Sequence, residues 1–346
     1  MKTGLALGAA VLAAVGIAAV VVMLMPDRED PDALPSLTRQ PATPSEAPVG
    51  ECPAATVTVE SAIQLHEALD GAEPGDVIVL EPGTYQGEFV ATTDGTESDP
   101  VVLCGPREAE LVGPGPDDAY GLHLDGADYW RVSGFTVRDS QKGVMVDNGH
   151  HNVIEGLDVH SIGDEAIHLR SFSSDNVVRG NEVHDTGLRK PKYGEGIYVG
   201  TAESNWCDIS GCEPDNSDRN LIEANTIYDV SAEAVDIKEG TSDGILRDND
   251  FDGAGASDEV DSWVDVKGND WLIEGNRGVN APLDGFQTHE ILDGWGTGNM
   301  FRGNVATVDA DGYGFSLTPE RDNSVSCDNE VSGAGEGFSN AQCREG

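Results

Sequence analysis

The strongest constraint on this chain is a frame of about 25 residues that returns along most of its length. An apolar pair is followed by Asn-x-hydrophobic, as in VVRGNEV (177–183), LIEANTI (221–227), ILRDNDF (245–251), LIEGNRG (272–278), MFRGNVA (300–306) and VSCDNEV (325–331). VSGFTV (132–137) and VIEGLDV (153–159) keep the frame without the Asn. From Gly134 through Gly156, Asn181, Asn225, Asn249, Asn276 and Asn304 to Asn329 the spacings are 22, 25, 44, 24, 27, 28 and 25. The value of 44 is one turn plus an insertion, placed at 187–218. A unit this short cannot bury its apolar residues alone. Stacking units at the interstrand spacing of about 4.8 Å buries them in one continuous core. Asn is expected in the left-handed bend between strands, where it bonds the neighbouring backbone; that column is architecture.

A second frame interleaves with the first: YGLHLDG (120), KGVMVDN (142), EAIHLRS (165), EGIYVGT (195), EAVDIKE (233), SWVDVKG (262), DGFQTHE (284), YGFSLTP (313) and EGFSNAQ (336). Strict alternation marks short strands. Leu122, Val144, Ile167, Ile197, Val235, Val264, Phe286, Phe315 and Phe338 should form one inward column. The expected fold is therefore all-β, a parallel β-helix. Helical periodicity occurs only in SAIQLHEALDGA (61–72), which opens on a Ser61 cap and reads as a short N-terminal capping helix.

Charge narrows the partners. With 20 Lys plus Arg against 63 Asp plus Glu, the net charge is −43, which excludes nucleic acid and an anionic membrane surface as default partners. The run Gly4–Met25 after Lys2 is long enough to span a bilayer, and no small-x-small cleavage site follows closely. Residues 1–25 are therefore read as a signal or, preferentially, an uncleaved membrane anchor, the only contact with membrane. The proline-rich stretch 26–50 reads as a linker, and 51–346 as the β-helix domain, outside the cell. Six cysteines agree with export. Proximity pairs Cys207 with Cys212 and Cys327 with Cys343, leaving Cys52 with Cys104. A monomer is expected.

The segment PGDVIVLEPGTYQGEF (74–89), followed by the Asn-x-hydrophobic turns, resembles the pectate-lyase-like right-handed parallel β-helix superfamily. That resemblance implies the right-handed fold, but the fold hosts lyases, hydrolases, epimerases and binding proteins. A shorter one, EAVDIK (Glu233–Lys238) with Asn249 following, is similar to the chondroitinase B and alginate lyase family. It implies Glu233 as a calcium ligand and Lys238 as the base. Lys267 stands where that family has an Arg-containing segment.

Alternation places His123/Asp125, Met145/Asp147, His168/Arg170, Tyr198/Gly200, Asp236/Lys238, Asp265/Lys267, Gln287/His289 and Ser316/Thr318 outward on one strip. Cations on an acidic protein suit an anionic polysaccharide. Eliminating a glycosidic bond of a uronate requires a neutralised carboxylate, a base for the C5 proton and an acid for the leaving oxygen. Lys238, Lys267, Arg170, His168 and His289 are the catalytic candidates. Tyr198, Trp263 and Trp206 are candidate sugar-binding faces, with Trp263 expected to protrude. Glu233, Asp236 and Asp265 are candidate Ca²⁺ ligands. A neighbouring ammonium should lower the Lys238 pKa while the carboxylates oppose that shift, burial deciding the outcome. The competing reading makes the lysine–aspartate pairs ion pairs on a solvated face, each worth at most about 1 kcal/mol. A non-catalytic module binding glycan or protein is the alternative function, and a glycosidase using Asp236 and Asp265 is a third.

Overall fold

The structure, a computed structural model, describes residues 52–345. The calls on 1–25 and 26–50 lie outside the described residues. Among those described, no helix is long and apolar enough to cross a membrane.

Three parallel sheets run the length of the domain, and a typical turn of about 25 residues gives one strand to each. The first sheet has eleven strands, from Val57–Val59 to Ser324–Val325. The second has ten, from Phe89–Ala91 to Gly337–Ser339, and the third ten, from Gly83–Gln86 to Glu330–Ala334. One turn runs Val153–Glu155 (first), Asp158–His160 (third), Ile167–Arg170 (second). Alternate residues of every strand meet inside the coil in a single apolar core.

The inward column of the second sheet follows the expected register from Leu122 through Val144, Ile167, Ile197, Val235, Val264 and Phe286 to Phe315. Its last member does not, because Phe315 aligns with Ser339. Phe338 is slipped by one residue and only partly buried, though its ring still lies 5.7 Å from that of Phe315. Among the described residues this strand pairs only with Tyr313–Thr318, so its register is enforced from one side.

The Asn column forms a ladder at the corner between the first and third sheets. Asn181, Asn225, Asn249, Asn276 and Asn304 each donate through Nδ2 to the Oδ1 of the next Asn, at 2.9–3.0 Å. These residues do not take the left-handed bend themselves. The residue before each one does: Gly180, Ala224, Asp248, Gly275 and Gly303 have φ between 54° and 68°. The Asn side chain is thus free to point inward and serve the buried backbone. Asn152, Asn176 and Asn220 form a second ladder before the first sheet, unmarked by the Asn-x-hydrophobic frame.

Ser61 caps the helix Ala62–Asp70, which buries Leu65 and Leu69 against the first turns. Disulfides join Cys52–Cys104, Cys207–Cys212 and Cys327–Cys343. The extra length near 187–218 is two loops rather than one. Residues 187–195 precede the second-sheet strand Ile197–Val199, and 201–218 follow it, holding the helix Trp206–Ile209. The strand that carries Tyr198 is thereby walled at both ends.

Candidate active site

The outer surface of the second sheet carries the expected strip. His123, Met145, His168, Tyr198, Asp236, Asp265, Gln287 and Ser316 align on successive turns. Beside them, Lys238 and Lys267 continue adjacent strands, with Lys238 N donating to Val199 O and Lys267 N to Ile237 O. The surface is not the solvated face that charge alone implies. His168, Asp236, Asp265 and Lys267 are 4%, 1%, 4% and 7% exposed. The strip is the floor of a groove.

Along that floor the charges form a continuous row over three turns. His289 Nδ1 meets Asp265 Oδ1 at 2.9 Å, and Lys267 Nζ contacts Asp265 Oδ2 at 2.6 Å and Asp236 Oδ1 at 2.8 Å. Lys238 Nζ closes the row on Asp236 Oδ2 at 2.5 Å. Burial pushes the Lys238 pKa down, but the Asp236 carboxylate outweighs it and raises the net value, so the resting side chain is an ammonium ion. Lys267 behaves likewise between Asp236 and Asp265. Burial alone would raise Asp265, yet Lys267 and His289 hold it well below the usual carboxylate range. This settles what the opposing charges left open for Lys238: the carboxylate wedged between the two ammonium groups outweighs burial. A glycosidase pair is also disfavoured, since it needs one protonated acid. Asp236 is gripped through both oxygens, and Asp265 is held ionised.

Tyr198 lies one turn before Asp236. Its ring is 4.9 Å from Lys238 Nζ and packs edge-on against His168, with centroids 4.4 Å apart. Burial and nearby carboxylates push the phenol well above its ordinary pKa, so it rests protonated. Its hydroxyl has no hydrogen-bond partner among the described residues. His168 contacts Gly200 O through Nε2 at 2.9 Å, while its buried Nδ1 has no hydrogen-bond partner. Burial, then Lys142 and Arg170, hold this imidazole neutral. A cleft of about 210 Å³ opens here, lined by residues including Lys142, Glu165, Arg170, Tyr198 and Asn205. Arg170 is on the strip but is bound by Asp147, with Nε 2.6 Å from Oδ1.

Two expected sugar platforms are overturned. Trp263 does not protrude; it is 1% exposed, with Nε1 donating to Val279 O at 2.9 Å. The residue before the inward column points into the corner with the third sheet, which is why that position is small elsewhere. A Cβ on Gly121, Gly143 or Gly196 would lie 2.4–2.7 Å from Val137, Val159 or Ile227. At Trp263 the sizes are exchanged, and Gly278 stands in the column where earlier turns have those branched residues. Trp206 is also buried, its Nε1 donating to Thr201 O at 2.8 Å within the 201–218 loop.

The carboxylates that converge are Glu195, Glu233 and Asp236, each offering an oxygen within 4.8 Å of the others. Asp265 belongs instead to the lysine row, and Glu195 was passed over although it opens the frame EGIYVGT as Glu233 opens EAVDIKE, a shared position that could have found it. Burial and then Asp236 push Glu233 up to about 7, and burial with Glu165 raises Glu195 well above the carboxylate range. Glu195 Oε2 is buried without a partner. An acidic, all-oxygen trio with an unpartnered oxygen fits the donor chemistry of a hard divalent cation such as Ca²⁺.

Comparison with known proteins places this geometry. The model of the family "Right handed beta helix region" matches residues 120–257. Pectate lyase L of Dickeya chrysanthemi is 29% identical over 133 residues, 34% of this chain; the match spans only 31% of that relative. The crystal structure of alginate lyase from Paenibacillus sp. str. FPU-7 superposes with a TM-score of 0.77 at 35% identity, covering 82% of this chain and 99% of that one. PfbA, a surface adhesin of Streptococcus pneumoniae, shares the fold at 14% identity and a TM-score of 0.54, covering 82% of this chain and 75% of its own.

Proposed function

The chain belongs to the pectate-lyase-like right-handed parallel β-helix superfamily, and on that premise we propose that it is a polysaccharide lyase cleaving a uronate-containing polymer by β-elimination. The observation that carries this reading is the unpartnered Tyr198 hydroxyl beside the half-buried Lys238 ammonium on the groove floor. The similarity to an alginate lyase over nearly its whole length makes alginate the first substrate to test, and pectate the second.

In this reading Lys238, backed by Lys267, binds the C6 carboxylate and offsets the charge that develops on it as C5 loses its proton. Tyr198 carries the proton. Its own proton passes first to solvent hydroxide; the phenolate then takes the C5 proton, the electron pair forms the C4–C5 double bond as the C4–O4 bond breaks, and the phenol gives that proton to O4, leaving the phenolate for the next turnover. Lys238 is thus an electrostatic group, since its resting proton is held by Asp236. Arg170, His168 and His289 shape and polarise the groove. A Ca²⁺ held by Glu195, Glu233 and Asp236 would add positive charge at the same place. Three disulfides support an extracellular location, with 1–25 as export segment or anchor, 26–50 as linker, and the helix Ala62–Asp70 as the N-terminal cap.

The test is absorbance of unsaturated uronate products over alginate, pectate, chondroitin and heparan, with and without Ca²⁺. Tyr198→Phe and Lys238→Ala should each lower kcat by about 10²-fold or more, with the wild-type rate rising as pH goes above neutrality. Wild-type turnover surviving in Tyr198→Phe overturns the proton-carrier assignment. Retention of a polymer without cleavage would instead establish the non-catalytic binding module.

A further inference from the structure

The loop 187–195 carries cations that the elimination does not use. Arg189 is locked to Asp164, with Nε 3.0 Å from Oδ1. The one-turn helix Pro191–Tyr193 follows, and Ser231 Oγ donates to Pro191 O at 2.8 Å. Thr186 Oγ1 further pins Gly194 O. On this fixed backbone Lys190 Nζ and Lys192 Nζ lie 5.4 and 4.6 Å from the Tyr193 ring centroid. Both lysines and the tyrosine are exposed, and neither lysine forms an ion pair. The two lysines border a cleft of about 450 Å³ with Ser257 and Glu259, and Glu259 pairs with neither. Two ammonium groups drawn to one ring repel each other, and among the described residues no carboxylate lies within ion-pair distance of either, in a chain of net charge −43. The same loop runs directly into Glu195 and the Tyr198 strand, so the pair stands on the segment that enters the groove floor.

We propose that Lys190, Lys192 and Tyr193 form a second, non-catalytic docking site for the carboxylates of a polyuronate chain. The proposal rests on the lyase reading for its ligand class. Closely spaced cations on a pinned loop need little ordering on binding, and the positive pair draws a polyanion toward an otherwise repulsive protein.

The experiment compares the full chain with Lys190→Ala/Lys192→Ala. These positions are exposed, so folding, checked by circular dichroism, should be unchanged. For polymer, the variant's KM should rise several-fold, up to about tenfold for two exposed ion contacts, with kcat unaltered and a flatter dependence of KM on salt. Short oligomers should show no change. In parallel, affinity electrophoresis in alginate and polygalacturonate gels is run in the Tyr198→Phe background; retardation should persist there and fall when the lysines are removed. Unaltered polymer KM and unaltered retardation overturn the docking site while leaving the lyase reading intact. If wild type cleaves nothing, the lyase reading fails, and the gel still decides the docking site: retardation lost on removing the lysines supports it, and retardation that is absent or unchanged overturns it.

Discussion

Exchanging the sizes of Trp263 and Gly278 tests the packing that holds the active-site floor. Trp263→Ala empties a fully buried indole site and should cost about 3–5 kcal/mol of unfolding free energy. Gly278→Val alone places a Cβ 2.4 Å from the indole ring and should cost about 1–3 kcal/mol or more by overpacking. Combined, the two changes recreate the small-plus-branched pairing of earlier turns, such as Gly143 against Val159. The double variant should therefore be less destabilised than the sum by at least about 2 kcal/mol. Equilibrium urea unfolding of the four proteins, followed by circular dichroism, measures the coupling. Additive losses would refute the slot. A Trp263→Ala protein of wild-type stability but raised KM would restore the indole to the sugar-binding role that alternation implies.

Other outcomes follow from the same contacts. Lys238→Ala should lower stability as well as activity, by about 1–3 kcal/mol, because the buried Asp236 keeps only Lys267; unchanged urea unfolding would contradict the burial of that pair. Glu233 is raised to about 7 when folded, so the native state holds its proton more tightly than the unfolded chain. Its contribution is complete at acid pH and is lost as pH rises through about 7; up to about 3 kcal/mol should disappear between pH 4.5 and 7.5 with chelator present, and Glu233→Gln should flatten that slope. An equal slope in the variant would reassign the titration. Asn249→Leu removes the acceptor for Asn225 N and Nδ2 and should cost about 3 kcal/mol or more by urea unfolding; a loss below about 1 kcal/mol would show that the ladder is dispensable.

The alternating strands and the Asn column were legible because a solenoid repeats its local physics every turn, so one pattern is written many times. The order of residues along the strip, from His168 and Tyr198 to Asp236, Asp265 and Gln287, followed from period-two alternation and stacking alone. Three things did not. Whether an outward side chain meets solvent depends on the loops beside the strand, which turned the Asp236/Lys238 and Asp265/Lys267 pairs of the solvated reading into one largely buried row and decided the Lys238 shift that the opposing charges left open. The corner before each strand breaks the alternation, and Trp263 entered the core there because Gly278, on the adjoining face of the same turn, yields it space. The meeting of Glu195 with Glu233 and Asp236 was not read either: the frames EGIYVGT and EAVDIKE align the two glutamates, but only the packed coil brings their oxygens together with that of Asp236. Alternation is a property of the local backbone and can be read from one strand. Burial, charge balance and the meeting of side chains from different turns are properties of the packed coil, and tertiary structure alone decided them.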